Sequence, residues 1–473
     1  MLKNTVDGDE GCPWIASRTG EKRARIAWAF MGGAGHKLKG AREVALVVLY
    51  RVELQGSYAD KVLDGLLKRH SLPQRDRALA TELAFGTLRW RGKIDWALGQ
   101  LLKGGIEELS PWIRNILRLG AYQLMFCDKI PSFAAVSESV ELAKKYGHTG
   151  VAALVNGVLR KVKKEVPQLP AGDIESLAVN YSHPSWMVRR WVSRLGALET
   201  EELLKANNQV PPVSLRANAL RVSREELLSL LEGEELSSAS GKFSQSSVRV
   251  EGNPLSSNCY RQGLFQVQDE GATLVGELLA PQPDEVVVDL CSAPGGKATH
   301  LAELMGNRGL VLAVDINRAR LSLVSENCKR LGVGIVRGVV ADGRDFSLRT
   351  QVDRVLIDAP CSNLGVLRRR PDLRWRIKEE EIGELVRLQR ALLEGGSTLL
   401  REGGILVYST CTLEPEENEQ TVLSLLDSRP EFALEDGRGF VPREVVNGRG
   451  WLMTLPHVHG LDGGFAARMR KAC

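Results

Sequence analysis

Two cysteines stand where chemistry is possible: Cys361 in Asp358-Ala359-Pro360-Cys361-Ser362, and Cys411 in Ser409-Thr410-Cys411-Thr412. Each follows a short run of apolar and β-branched residues, so each is expected at the end of a strand, where a site opens. Most cysteines are small core hydrophobes, and Cys127, Cys259 and Cys328 are read that way. A thiolate at a strand end is a nucleophile able to divide one difficult step into two. Carbon 5 of cytosine, for example, is a poor nucleophile until a thiolate adds to carbon 6, whereupon the ring becomes enamine-like and can attack a methylsulfonium. One cysteine does that, and release of the product then needs a base-assisted elimination. Composition alone does not rank the two cysteines.

A second constellation lies upstream. Val286-Val287-Val288-Asp289-Leu290 leads into Cys291-Ser292-Ala293-Pro294-Gly295-Gly296-Lys297 and then into a helical pattern from Ala298. In a strand, glycine turn and helix of this kind, glycines allow close backbone approach to a ligand and the helix start presents free amides. A phosphate-binding P-loop is excluded, because Cys291 replaces its first glycine and Ala298 its Ser/Thr. G-x-G-x-x-G is absent too. The next strand ends in Asp315, 19 residues beyond Gly296, where an acid can accept two ribose hydroxyls. Asp342 and Asp358 close the third and fourth strands. A lone aspartate there is ordinarily a loop or cap residue, but recurrence at successive strand ends points to a ligand crevice.

These positions need elements to hold them. With 473 residues, the chain is expected to form two or three domains. From Arg42 to about Lys164 apolar residues recur three and four apart, which predicts an all-α domain over 41–164. Residues 1–40 read as a loose leader, and 165–280 as a connector containing a small mixed α/β module. After Ala280, EVVVDL, GLVLAVD, GIVRGVVAD, DRVLIDAP and GGILVYST alternate with helical stretches, which predicts an α/β fold with a doubly wound parallel sheet over 281–473.

Charge is uneven: residues 1–170 carry 27 Lys and Arg against 17 Asp and Glu, although the whole chain has a net charge of only +5. A basic N-terminal part fits a polyanion partner. The nearest two cysteines are 32 residues apart, and the histidines form no ligand pattern, so neither a metal nor a disulfide framework is expected. No run is apolar enough to span a membrane and no signal pattern opens the chain, so a cytoplasmic chain is expected, and it is separately expected to be a monomer.

The blocks DLCSAPGGKATHLAE, LIDAPCSNLGVLRRRPDLRW and LVYSTCTLEPEENE resemble motifs of the RNA 5-methylcytosine methyltransferases of the NOL/NOP/Sun family. The helices around REVALVVLYRVE, NILRLGAYQLM and VNGVLRKV resemble the RNA-binding fold of the antitermination factor NusB. A NusB-like domain ahead of a Rossmann-like catalytic one is similar to a bacterial subgroup acting on small-subunit (16S) ribosomal RNA. The resemblance implies Cys411 as nucleophile, Cys361 as the aid to product release, and S-adenosylmethionine held by Cys291, Ser292, Ala293, Pro294, Gly295, Gly296, Lys297, Asp315, Asp342 and Asp358. It also implies that Lys297 and Asp358 border the target base. Ser292 and Ala298 depart from the commoner C-A-A-P-G-G-K-T, and Asp462-Gly463-Gly464-Phe465 departs from D-G-F-F. Arg368, Arg369, Arg370, Arg374 and Arg376 are candidates to clamp an RNA backbone, and Trp375 to stack on a base or pack in the core. The rival readings are a non-catalytic RNA-binding factor, and an enzyme acting on transfer RNA or protein.

Overall fold

The computed structural model describes residues 38–164 and 169–472. The leader expected over 1–40 therefore lies outside the described residues, apart from its last three. From Ala41 the helical periodicity is realised as seven helices: Ala41–Gln55, Ala59–Arg69, Gln74–Arg89, Arg91–Gly99, Pro111–Phe126, Ser132–Tyr146 and Thr149–Leu159. Pro73, Pro111 and Pro131 sit at helix starts, where a missing N–H costs nothing. Their apolar faces enclose one core that includes Val44, Leu46, Leu83, Ile116 and Val155. Within it Trp112 stacks between Tyr50 and Tyr146, with ring centroids 3.6 and 4.6 Å away.

Three helices, Asp173–Asn180, Ser185–Leu195 and Ala197–Asn207, lead to a small antiparallel sheet. Its strands are β1 (Val213–Ala217), β2 (Ser238–Ser240), β3 (Ser247–Val250) and β4 (Phe265–Val267), in the order β2-β3-β1-β4. The helix Arg224–Gly233 packs on it, started by a capping box between Ser223 and Glu226.

The five anticipated strands are β5 (Val286–Leu290), β6 (Leu310–Asp315), β7 (Val336–Val340), β8 (Val352–Asp358) and β9 (Leu400–Thr410). They pair in parallel, with β5 between β6 and β8. Beyond the sequence reading, β10 (Phe432–Glu435), β11 (Leu452–Thr454) and β12 (Gly464–Lys471) extend the sheet to the order β10-β12-β9-β8-β5-β6-β7, with β11 also on β12. These last strands run antiparallel, so the sheet is mixed. The strand order reverses beside β5, and ligands bind at such a switch point, outside the strand C-termini.

Within the arginine run after Cys361 the structure corrects the expectation for Arg368 and Arg374, which are buried, while Arg369, Arg370 and Arg376 stay partly exposed. These side chains face protein partners. Arg374 is fully buried and donates to the carbonyls of Arg89, Ser182 and Asn207 at 3.0, 3.1 and 2.6 Å, and to Asn208 Oδ1 at 2.7 Å. Arg368 and Arg369 hold Asp462, Arg370 pairs with Asp60, and Arg376 donates to the Gly56 carbonyl. Trp375 Nε1 donates to the Leu88 carbonyl at 2.8 Å, and its ring packs beneath Arg91. Residues 366–376 are thus a strap stitching the helical region, the connector and the large sheet together. Leu364, Leu367 and Leu373 share a core with Met187, Val188 and Trp191. Arg374→Met should orphan several buried acceptors while relieving a desolvated cation. The expected net destabilisation is about 2–3 kcal/mol, read as a lower urea midpoint with unchanged slope.

Candidate active site

β5 delivers the chain to Cys291, which lies at φ 62, and Gly295 takes φ 93. A Cβ on Gly295 would come within 2.9 Å of Val324 Cγ1, so both backbone conformation and space require glycine there. The loop is secured from several sides. Ser292 N donates to the Val314 carbonyl at 2.9 Å, and Asn327 Nδ2 to the Pro294 carbonyl at 3.0 Å. Asp315, at the tip of β6, accepts from Ala293 N at 3.2 Å and from Asn317 N at 2.8 Å. Each of its oxygens keeps further acceptor capacity.

Below the loop lies Asp289, fully buried, with one oxygen accepting from Ser292 Oγ at 2.8 Å and Oδ1 without a partner. Burial pushes its carboxyl up to about 7. Burial, then the nearby Asp289, Asp358 and Asp315 carboxylates, push the Cys291 thiol up to about 12, so Cys291 is no nucleophile near neutral pH. Asp342 stands apart from this group: Arg344, two residues on, takes its carboxylate at 2.5 Å and holds its pKa below the usual range. Its place in the cofactor set rests on its strand-end position and on the sequence resemblance.

Lys297, in the first turn of the helix Gly296–Leu304, reaches Asp358 Oδ2 at the end of β8, 2.6 Å away. Burial opposes its charge, but the Asp358 carboxylate outweighs that and holds the Lys297 pKa above the usual value. Lys297, Asp358, Ser409 and Cys411 line one cavity of about 80 Å³, together with Asp269, Thr454 and Phe465.

The two cysteines meet: Cys361 Sγ and Cys411 Sγ are 3.3 Å apart, and Cys411 N donates to Cys361 Sγ at 3.4 Å. They differ in access. Cys411 lines the cavity, whereas Cys361 is buried behind it. The hydrogen bond to Cys411 and then burial drive the Cys361 thiol well above its ordinary value.

Several residues that hold this pair were not singled out from the sequence. Asn363, at φ 60, accepts from Cys411 Sγ at 3.1 Å and donates to the Cys361 carbonyl at 2.6 Å. Glu417 is fully buried and accepts from Ser362 N at 2.9 Å, from Ser362 Oγ at 2.5 Å and from Gln389 Nε2 at 2.9 Å, which joins the two cysteine loops from beneath. Gly365 N donates to the Cys411 carbonyl at 3.0 Å, and a Cβ on Gly365 would meet the Gly463 oxygen at 2.1 Å. Asn363 and Glu417 both lie inside the sequence blocks quoted above, but what distinguishes them from neighbouring polar residues is their hydrogen bonds to the two cysteine loops, which only the fold supplies. Among the described residues, no group of three or more His, Cys, Asp or Glu could hold a metal.

With this geometry in view, three family models match successive stretches. The NusB family matches residues 39–164, the ferredoxin-like domain of RsmF/B-like methyltransferases matches 183–255, and the 16S rRNA methyltransferase RsmB/F family matches 276–470. The probable ribosomal RNA small subunit methyltransferase B of Bacillus subtilis is 35% identical over 446 residues, covering 92% of this chain and 99% of its own length. The chain belongs to the RsmB/F methyltransferase family. The Synechocystis relative of this family is 37% identical over 443 residues, 91% of this chain and 99% of that protein. Among solved structures, PH0851 is 29% identical with a TM-score of 0.78, covering 92% of this chain and all of that one. NSun6 from Pyrococcus horikoshii, solved with the S-adenosylmethionine analogue SFG, is 25% identical with a TM-score of 0.55, covering 60% of this chain and 97% of that one. The three stretches matched in this RsmB/F-family chain fall on the helical region, the small-sheet module from the helix Ser185–Leu195 through β3, and the large sheet.

Proposed function

We propose that this chain transfers a methyl group from S-adenosylmethionine to carbon 5 of a cytosine in small-subunit (16S) ribosomal RNA, through a bond between Cys411 and carbon 6. The observation that carries the reading is the cysteine pair: Cys411 opens onto the cavity shared with Lys297 and Asp358, with Cys361 in contact behind it. Family membership supports the methyltransferase activity and the ribosomal RNA substrate.

The residues around the loop fit the cofactor. S-adenosylmethionine is a sulfonium carrying an ammonium group, and Asp289, with its orphaned Oδ1, Asp315 and Asp358 form an acidic cluster. The loop Cys291–Lys297 and Asp315 would hold the cofactor, with Asp342 at the strand end beyond. When bound it supplies an electrophilic methyl group. Asp315→Ala should weaken cofactor binding by about 1–3 kcal/mol, because ribose hydroxyls and the Ala293 amide would both lose an acceptor. Calorimetry that returns unchanged affinity would remove Asp315 from the site.

Cys411 adds to carbon 6, so that carbon 5 gains the nucleophilic character for methyl capture. Elimination then breaks the sulfur–carbon 6 bond, whose electron pair returns to Cys411 as its thiolate, while the proton leaving carbon 5 passes to Cys361, which touches Cys411 and serves as the base in its thiolate form. Lys297 stays protonated near neutral pH and, with Asp358, orients the ring and opposes charge developing on it. An unstacked or flipped base is required. Residues 41–164, with their basic excess, bind the RNA. The described residues include no helix long and apolar enough to cross a membrane, and we place the chain in the cytoplasm as a monomer.

Transfer of label from S-adenosylmethionine, offered small-subunit ribosomal RNA and transfer RNA in parallel, tests the reading. Label on ribosomal RNA is the expected result. Label on transfer RNA alone would change the substrate, and binding of cofactor and RNA without transfer would favour a non-catalytic factor.

A further inference from the structure

The first turn of the helix Gly296–Leu304 has no side-chain cap of its own. Its position is set from elsewhere. β1 of the small sheet brings in Arg216, which donates to the Gly296 carbonyl at 2.8 Å, to Thr299 Oγ1 at 3.2 Å and to both Glu303 oxygens at 3.0 and 2.7 Å. A further bond goes to Gln268 Oε1, at the end of β4. Arg216 and Glu303 are 0% and 1% exposed at their side chains. A pair so buried adds little net stability, because desolvation offsets its attraction. A planar guanidinium that meets five acceptors does, however, permit only one placement of the groups around it. Two of those groups, Gly296 and Thr299, flank Lys297, whose ammonium must meet Asp358.

We propose that Arg216 is a positioning residue for the cofactor loop, so that the small sheet is a working part of the methyl-donor site and more than a spacer between the helical region and the large sheet. The geometry reaches the cofactor through Gly296 and Lys297, and the inference rests on the assignment of that loop to S-adenosylmethionine.

The test uses the full-length chain, with S-adenosylmethionine affinity by calorimetry, KM for cofactor and RNA, and Tm. In the double variant Arg216→Met with Glu303→Met both buried charges go, so Tm should stay close to that of the parent. Cofactor Kd and KM should rise about tenfold, as expected for a small misplacement of binding groups, while the RNA KM stays unchanged. Arg216→Lys keeps the charge on Glu303 but cannot fork to Gly296, and should share the weakened cofactor affinity. A purely structural role would lower Tm and leave cofactor affinity at the parent value, and that result in both variants would overturn the proposal. If the unaltered chain itself binds no S-adenosylmethionine, the functional reading falls first and the positioning role with it.

Discussion

Cys361→Ala is expected to arrest the reaction with RNA joined covalently to the protein through Cys411. The change leaves the nucleophile in the cavity, with Asn363 still accepting from its sulfur. Attack on carbon 6 and methyl capture at carbon 5 can therefore proceed, while the elimination that frees the product loses its assistant. Trimming one buried thiol should cost no more than about 1–2 kcal/mol of stability, so the protein stays folded. Cys411→Ala should also be inactive but should form no adduct, since the first bond never forms. Denaturing gels with labelled RNA and S-adenosylmethionine distinguish the two, through a slow band that protease removes. A trapped band in Cys411→Ala and none in Cys361→Ala would reverse the assignment, and full activity in either variant would sink the two-cysteine mechanism.

The second large effect is expected at Lys297. Its ammonium is held in the cavity by Asp358, 2.6 Å away, and stays charged over the working pH range because that carboxylate outweighs burial. Attack on the pyrimidine pushes electron density into the ring, and a preorganised cation beside it stabilises the transition state more than the ground state. Lys297→Met keeps the aliphatic length, removes the charge and leaves Asp358 without its cation, with the Ser409 hydroxyl still donating to it. Single-turnover rates should fall by about 100- to 1,000-fold. RNA affinity should stay near the parent value, because the contacts outside the cavity are untouched. A loss confined to RNA binding, with the rate of the bound complex intact, would make Lys297 a docking residue instead.

The legible parts of the sequence were those with a local cause. The five parallel strands announce themselves through β-branched runs such as Val286-Val287-Val288, and the glycine turn after β5 has no other economical meaning. Cys361 and Cys411 were legible as a pair because both end such runs; that they touch at 3.3 Å depends on β8 and β9 lying side by side. What escaped has a distant cause. Gly464-Phe465-Ala466-Ala467-Arg468 carries little strand propensity and becomes a strand by pairing with β9. Arg374 reads as part of a basic face, yet its acceptors on Arg89 and Ser182 are 285 and 192 residues away in sequence. The strap also bears on experiments: removing the helical region would strip Arg370, Arg374 and Trp375 of partners and so disturb the Cys361 loop along with RNA binding.

The identity of the methylated atom tests the central claim most directly. Small-subunit ribosomal RNA from a strain lacking the gene should be treated with the purified chain and methyl-labelled S-adenosylmethionine, digested to nucleosides and resolved by mass spectrometry. The expected product is labelled 5-methylcytidine, at one bisulfite-resistant position, formed by the unaltered chain and absent with Cys411→Ala. Label on an exocyclic nitrogen, on a ribose hydroxyl or on a purine would contradict thiolate addition at carbon 6, because none of those positions needs it.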